Sequence, residues 1–276
     1  MSGLSPEIKL DHPQVTKVLF YPRREGKGET PDGCLDFDIP VDKGVTIGAR
    51  FHPAGKDAPN ILFFHGNGEI VSEYDDIGSG FVAHGMSFLA IDYRGYGWSG
   101  GEPSTGKMMR DCHVVFEYVR NWLAAEERKG YLVVMGRSLG SACAIELAVT
   151  ERQAVAGLII DSGFGHTLPL LRCLGIDVDG LGITEDECFN NLEKITTFIK
   201  PLLILHAQLD QIIPVGDAAE LHARCMSRMG EFQIVPGADH NTIFERTGKL
   251  YFEVVGRFVK KIGMPVRRRR TGRGRD

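Results

Sequence analysis

No apolar run in this 276-residue sequence approaches the roughly 20 residues that a membrane-spanning helix requires. The first eleven residues have no basic stretch followed by an apolar core, so we predict no secretory signal peptide. The six cysteines are scattered without Cys-x-x-Cys pairs, a pattern typical of reduced thiols. These features predict a cytoplasmic protein without a transmembrane segment.

Patterns that would hold a metal ion or a cofactor are also missing. No group of histidines and cysteines has the spacing of zinc ligands, and no Gly-x-Gly-x-x-Gly opens a helix after a strand. Residues 177–180, Asp-Val-Asp-Gly, lack the third acidic ligand and the terminal glutamate of a calcium loop. We therefore expect neither a metal site nor a bound cofactor.

Charge is unevenly distributed along the chain. The net charge is −4, but residues 267–276 hold six arginines and one aspartate, a net +5, so residues 1–266 carry −9. Such a basic, glycine-containing end predicts a disordered tail, here residues 263–276. Because the acidic body shows no complementary basic helix, we predict no nucleic-acid partner, with a role of the tail in nucleic-acid or membrane contact as the lesser alternative. The sequence does not indicate an oligomeric state.

Strand-like and helix-like segments alternate through most of the chain, after an opening pair of strands that resembles a hairpin. Strands are predicted at 34–40, 45–51, 60–64, 86–91, 131–135, 155–160, 201–205 and 231–235, and helices at 73–84, 108–128, 141–149, 217–229 and 242–261. This order predicts an α/β fold with a mostly parallel central sheet flanked by helices. We assign residues 34–262 to that domain, 1–33 to an N-terminal extension, and 162–200 to a short lid insertion.

Two segments match Gly-x-Ser-x-Gly, the pattern of a nucleophile elbow. Gly136–Gly140 lies between an apolar strand and a helix, where a sharp turn would expose Ser138 at the end of the sheet. Ser99 lies in a segment rich in turn residues with no helix directly after it. We therefore predict Ser138 as the nucleophile.

A serine hydroxyl needs a nearby base, and on this architecture the acid and then the histidine follow the nucleophile in the chain. His240 follows the last predicted strand, whereas His222 lies inside a helix, so His240 is the expected base. Asp210 is the favoured acid, and Asp161 at the end of the preceding strand is its competitor. Asp239, next to His240, is interpreted as a loop residue.

The tetrahedral intermediate of such a reaction needs hydrogen-bond donors for its oxyanion. We predict the main-chain N–H groups of Leu139, directly after the nucleophile, and Asn67, in the glycine-rich loop after the 60–64 strand. His65 in the same loop is interpreted as structural. Apolar side chains of the insertion either line an acyl pocket or pack the insertion onto the body: Phe164, Leu168, Leu170, Leu171 and Leu174.

Three motifs in this order resemble the α/β-hydrolase superfamily: His65-Gly-Asn67, Asp92-Tyr-Arg-Gly-Tyr-Gly-Trp-Ser99 and Gly136-Arg-Ser-Leu-Gly140. The resemblance covers roughly residues 34–262. It implies a serine hydrolase that cleaves carboxylic esters or thioesters of small molecules through an acyl-enzyme intermediate. A serine peptidase of the same fold is one alternative, and a non-catalytic binding protein built on this scaffold is another.

Overall fold

The computed structural model describes residues 9–264. Within them, eight strands form one sheet: β1 (Leu35–Asp42), β2 (Val45–His52), β3 (Asn60–Phe64), β4 (Ser87–Ile91), β5 (Leu132–Arg137), β6 (Val155–Asp161), β7 (Leu202–Ala207) and β8 (Gly230–Val235). Their spatial order is β1-β2-β4-β3-β5-β6-β7-β8. Only β2 runs against its neighbours, so the predicted hairpin and the mostly parallel sheet are both confirmed.

Helices cover both faces of the sheet. In chain order they are α1 (Pro13–Leu19), α2 (Asp75–Ala83), α3 (Thr105–Ala125), α4 (Gly140–Thr150), α5 (Thr167–Cys173), α6 (Asn191–Ile195), α7 (Val215–Arg224), α8 (Ile243–Thr247) and α9 (Lys249–Ile262). The helix predicted over 242–261 is in fact two helices, because Gly248 adopts a positive φ of 50° between them. The helix predicted to reach residue 229 ends at Arg224.

Alternate side chains of the central strands enter two separate apolar cores. Leu62 and Phe64 of β3 pack with helices α1, α3, α4 and α7 on one face. Ile61 and Phe63 pack with α2 and α9 on the other. Since both faces are buried, these strands are continuous apolar runs, as parallel strands in such folds usually are.

Residues 162–200, predicted as an insertion, pack closely on the body. Phe164, Leu171 and Phe198 are almost completely buried. An ion pair reinforces this packing: Lys194 of α6 lies 2.6 Å from Glu146 of α4. A hydrogen bond from His113 of α3, together with Lys194, lowers the pKa of Glu146 to about 2.

The N-terminal segment also belongs to the core. Val15, Leu19 and Phe20 are at most 2% exposed and pack in the same apolar cluster as α3 and α4. Of the predicted basic tail, only Gly263 and Met264 fall within the described part of the chain. No helix of residues 9–264 is long and apolar enough to cross a membrane.

Candidate active site

The carboxyl ends of the parallel strands bring the predicted residues to one edge of the sheet. Asn67 follows β3, Ser138 follows β5, Asp210 follows β7 and His240 follows β8. β3 and β5 are neighbours in the sheet, but β3 connects to β4 on one side and β5 connects to β6 on the other. Such switch points are where ligands bind in open α/β sheets.

Ser138 occupies a strained turn between β5 and α4. Its φ is +49°, in the left-handed region that residues other than glycine seldom adopt. A Cβ atom on Gly136 would overlap the carbonyl of Gly140, and one on Gly140 would overlap the carbonyl of Phe64. The two glycines of the motif therefore permit a turn tight enough to hold the serine at the edge of the sheet.

Ser138, His240 and Asp210 form one chain of hydrogen bonds. Ser138 Oγ lies 2.9 Å from His240 Nε2, and His240 Nδ1 lies 2.7 Å from Asp210 Oδ2. With Nδ1 donating to the carboxylate, Nε2 is left to accept the serine proton. Both His240 and Asp210 are less than 10% exposed.

The other oxygen of Asp210 is fixed by the main chain. Asp210 Oδ1 accepts hydrogen bonds from the N–H groups of Ile212 (3.0 Å) and Ile213 (2.8 Å). Burial alone would raise the pKa of Asp210, but the hydrogen bond from His240 and the N–H of Ile213 hold it below the ordinary value. The carboxylate is thus kept ionised and oriented towards the imidazole.

Asp161 and Asp239, the other acids considered, have different partners. Asp161 Oδ2 accepts the hydroxyl proton of Tyr251 at 2.6 Å, and its complete burial raises its pKa. Asp239 Oδ1 accepts from the main chain of Asn241 and the hydroxyl of Thr242, within its own loop.

The alternative serine and histidines also have structural surroundings. Ser99 is buried, and its Oγ accepts the N–H of Gly48 at 2.8 Å. His222 stacks on Phe232, and His65 is fully buried with Nε2 3.2 Å from Asp92 Oδ1. None of them approaches the Ser138–His240 pair by a hydrogen bond among the described contacts.

The two N–H groups predicted as oxyanion donors belong to residues that line the same cavity as Ser138, namely Leu139 and Asn67. Within the described residues, neither N–H donates to another protein group. Two hydrogen bonds fix the Asn67 side chain: its Oδ1 accepts from Tyr21 N at 2.6 Å and from the Tyr96 hydroxyl at 2.7 Å.

The contact with Tyr21 shows that the N-terminal segment contributes to the site, which sequence reasoning missed. Leu19 lines the cavity beside Ser138, and Arg23 donates to the carbonyl of Gly68 at 2.9 Å. The available signal was a proline at the start of α1 followed by apolar residues at helical spacing, Val15, Val18 and Leu19.

Sequence reasoning also missed an ion pair that connects three loops of the site. Arg137 pairs with Glu69 and donates to the carbonyl oxygen of His240 at 2.9 Å. Glu69 in turn accepts the N–H of Gly66 at 2.6 Å and the hydroxyl of Tyr74 at 2.5 Å. The pair therefore joins the loop after β3, the elbow and the loop that carries the histidine.

Each partner keeps the other charged. Burial would raise the pKa of Glu69, but Arg137 holds it below the ordinary value. Burial would likewise lower the pKa of Arg137, and Glu69 raises it instead. Because this buried charged pair also bonds main-chain and side-chain groups of the surrounding loops, it is a rigid connection.

A cavity of about 210 Å³ opens beside Ser138. Its lining combines the polar groups already described with apolar side chains from α1, the elbow, the insertion and the acid loop: Leu19, Leu139, Leu170, Leu174 and Ile212. Two of the five insertion residues predicted as pocket candidates, Leu170 and Leu174, thus line it. In the part of the chain that the structure describes, no three His, Cys, Asp or Glu side chains are grouped to hold a metal ion.

Comparison with known proteins agrees with this fold. A sequence-family model described as serine aminopeptidase, S33, matches residues 55–167, a segment that contains Ser138 but neither Asp210 nor His240. The α/β hydrolase domain-containing protein aho-3 of Caenorhabditis elegans is 28% identical over 255 residues, with 88% of this chain and 72% of aho-3 covered.

Solved structures give the same result. The esterase Pf2001 of Pyrococcus furiosus is similar with a TM-score of 0.71 at 20% identity, covering 88% of this chain and 99% of its own. A monoacylglycerol lipase of Paleococcus ferrophilus is similar with a TM-score of 0.61 at 16% identity, covering 78% and 99%.

The sheet topology and the structural neighbours show that this chain has the α/β-hydrolase fold. The predicted fold class is therefore confirmed.

Proposed function

We propose that this protein is a serine esterase that cleaves carboxylic esters or thioesters of small molecules. The observation that carries the proposal is the hydrogen-bond chain Asp210–His240–Ser138 beside a cavity lined by both polar and apolar side chains. An esterase and a lipase among the structural neighbours support the choice of bond.

In the first step, Ser138 Oγ attacks the carbonyl carbon of the substrate while His240 Nε2 takes its proton. Asp210 stays ionised and stabilises the imidazolium that forms. The carbonyl oxygen becomes an oxyanion that accepts from the N–H groups of Leu139 and Asn67. Collapse of this intermediate expels the alcohol or thiol, which receives the proton from His240.

The second step returns the enzyme to its starting state. A water molecule gives a proton to His240 and attacks the acyl group on Ser138 through a second oxyanion at the same donors. The carboxylic acid leaves, and His240 returns the proton to Ser138 Oγ. The reaction consumes one water and needs no metal ion or cofactor in this scheme.

The test is hydrolysis of p-nitrophenyl acetate and butyrate by the full-length protein. Ser138→Ala is expected to lose at least about 10³-fold in kcat, since the nucleophile is removed. Ser99→Ala is the matched control, with the alternative serine changed and activity retained. Loss with Ser99→Ala and retention with Ser138→Ala would refute the proposal, and no esterase activity in the wild type would favour a binding protein.

Peptide-bond hydrolysis is the second candidate, because the matching family model is named for an aminopeptidase. An aminopeptidase needs an anionic anchor for the substrate's ammonium group. Among the described residues that line the cavity none is acidic, and its one cationic side chain, Arg137, is already paired with Glu69. We therefore favour esters; kcat/KM for alanine p-nitroanilide above that for p-nitrophenyl butyrate would reverse this choice.

We also propose a cytoplasmic location and a division of the chain into an N-terminal extension (1–33), a hydrolase domain (34–262) and a basic tail (263–276). Residues 162–200 serve as the lid of that domain. Fractionation of cells that express the full chain tests the location. Release of the intact protein with the soluble fraction is expected.

A further inference from the structure

A second cavity, of about 270 Å³, lies beside the one that contains Ser138. It is bordered by residues of the insertion and of the segment that begins α7. Leu170 and Ile212 line both cavities, so these two side chains stand between them.

The lining of the second cavity is suited to an apolar group. Phe164, Pro169, Ile213 and Pro214 contribute apolar surface. Its polar side chains form hydrogen bonds with one another or with the main chain. Asp217 accepts the N–H groups of Gly165 and His166, and the ring of His166 lies 3.1 Å from Glu220.

From this arrangement, and resting on the esterase function proposed above, we propose that Leu170 and Ile212 form a wall that limits the length of the acyl chain. The cavity beyond the wall is an acyl-chain subsite that becomes continuous with the site when the wall is shortened. The wild-type enzyme is accordingly selective for short acyl groups.

The experiment measures kcat/KM for p-nitrophenyl butyrate and octanoate and compares their ratio between variants. Leu170→Ala and Ile212→Ala each shorten the wall, and octanoate is expected to gain about fourfold for each methylene that the second cavity buries. A gain in the octanoate-to-butyrate ratio of at least about tenfold is predicted. Ile212 is half-buried, so its variant is the milder test for folding.

Replacement of Gly216 by leucine is expected to fill the second cavity. Gly216 lines that cavity, lies in the first turn of α7, and an added Cβ would meet no atom within 4 Å. In the double variant L170A/G216L the leucine should fill the space, and the octanoate-to-butyrate ratio is expected to return to the wild-type value.

Leu174 is the matched control, since it lines the cavity of Ser138 but not the second one. Any increase in the octanoate-to-butyrate ratio caused by Leu174→Ala should stay the same when Gly216→Leu is added. Equal sensitivity of the Leu170 and Leu174 variants to Gly216→Leu, or no gain with either wall variant, would overturn the proposal. Failure of the proposed esterase function would appear separately, either as no turnover of butyrate or octanoate by the wild type or as turnover that survives Ser138→Ala.

Discussion

Breaking the Arg137–Glu69 pair is expected to lower both the stability of this protein and the rate of the proposed ester hydrolysis. The change is Glu69→Gln, which keeps the shape of the side chain and removes its charge. Arg137, with 10% of its side chain exposed, then keeps a charge whose counter-ion is gone. Arg137, which donates to the carbonyl oxygen of His240, is then no longer fixed in position by Glu69.

The magnitude follows from burial. Removing one partner of a fully buried pair costs about 3–5 kcal/mol in the free energy of unfolding. Because 21% of the Glu69 side chain is exposed, solvent screens part of this, and we expect about 2–3 kcal/mol. Replacing both partners, as in E69Q/R137M, should recover at least about 1 kcal/mol, since no uncompensated charge remains.

The assay is urea unfolding followed by the fluorescence of the two tryptophans, together with kcat and KM. The single variants E69Q and R137M should each lower kcat by about 10- to 100-fold, because the pair positions the loops that carry the catalytic groups. KM should change little in E69Q, since Glu69 does not line the cavity. Arg172→Met, which breaks the exposed pair with Asp179, is the control and should cost less than about 0.5 kcal/mol.

The effect of Glu69→Gln should also depend on pH. The pKa of Glu69 is lowered in the folded protein, so its stabilisation is complete above the ordinary glutamate pKa of about 4.3 and is lost as pH falls through the folded value. The difference in unfolding free energy between wild type and variant should therefore shrink below about pH 4. Additive single variants with unchanged kcat would refute the reasoning.

Three further predictions concern other contacts. Asp210→Asn should lower kcat by about 10³–10⁴-fold, whereas Asp161→Asn should stay within about 10-fold of wild type; the reverse order in side-by-side assays would make Asp161 the acid. Tyr96→Phe removes a donor to the side chain of Asn67 and should lower kcat about 3- to 10-fold at unchanged KM, whereas an unchanged kcat would separate that contact from catalysis. Glu146→Gln should lower the free energy of unfolding by about 1–2 kcal/mol at pH 7, after allowance for solvent screening. Because the pKa of Glu146 is lowered to about 2, the difference from wild type in urea unfolding should disappear as pH falls from about 4.5 towards 2, and it should not change at higher pH.

The strands and the order of the chemical groups could be predicted from sequence because both have local signals. Continuous apolar runs mark strands that are buried on both faces, and the turn around Ser138 needs glycines at fixed positions. Parallel strands then place Asp210 and His240 at the same edge without any knowledge of their contacts. The choice of Ser138 over Ser99 used the same logic, since only Ser138 has a strand directly before it and a helix directly after it.

Contacts between distant segments could not be predicted in this way. Arg137 and Glu69 are 68 residues apart, and neither has a local pattern that distinguishes it from a solvated charge. The contact of Tyr21 with Asn67 depends on where the chain before β1 returns to the sheet, which its own sequence does not specify. The division of the apolar space by Leu170 and Ile212 likewise depends on how the insertion docks.

Covalent labelling tests the central claim most directly. The full-length protein is treated with a fluorophosphonate, which forms a covalent bond with an activated serine, and the adduct is located by mass spectrometry of the digested protein. We predict one adduct, on Ser138, that is absent from Ser138→Ala and formed much more slowly in His240→Ala. Full labelling of Ser138→Ala, or an adduct on Ser99 in the wild type, would contradict the account.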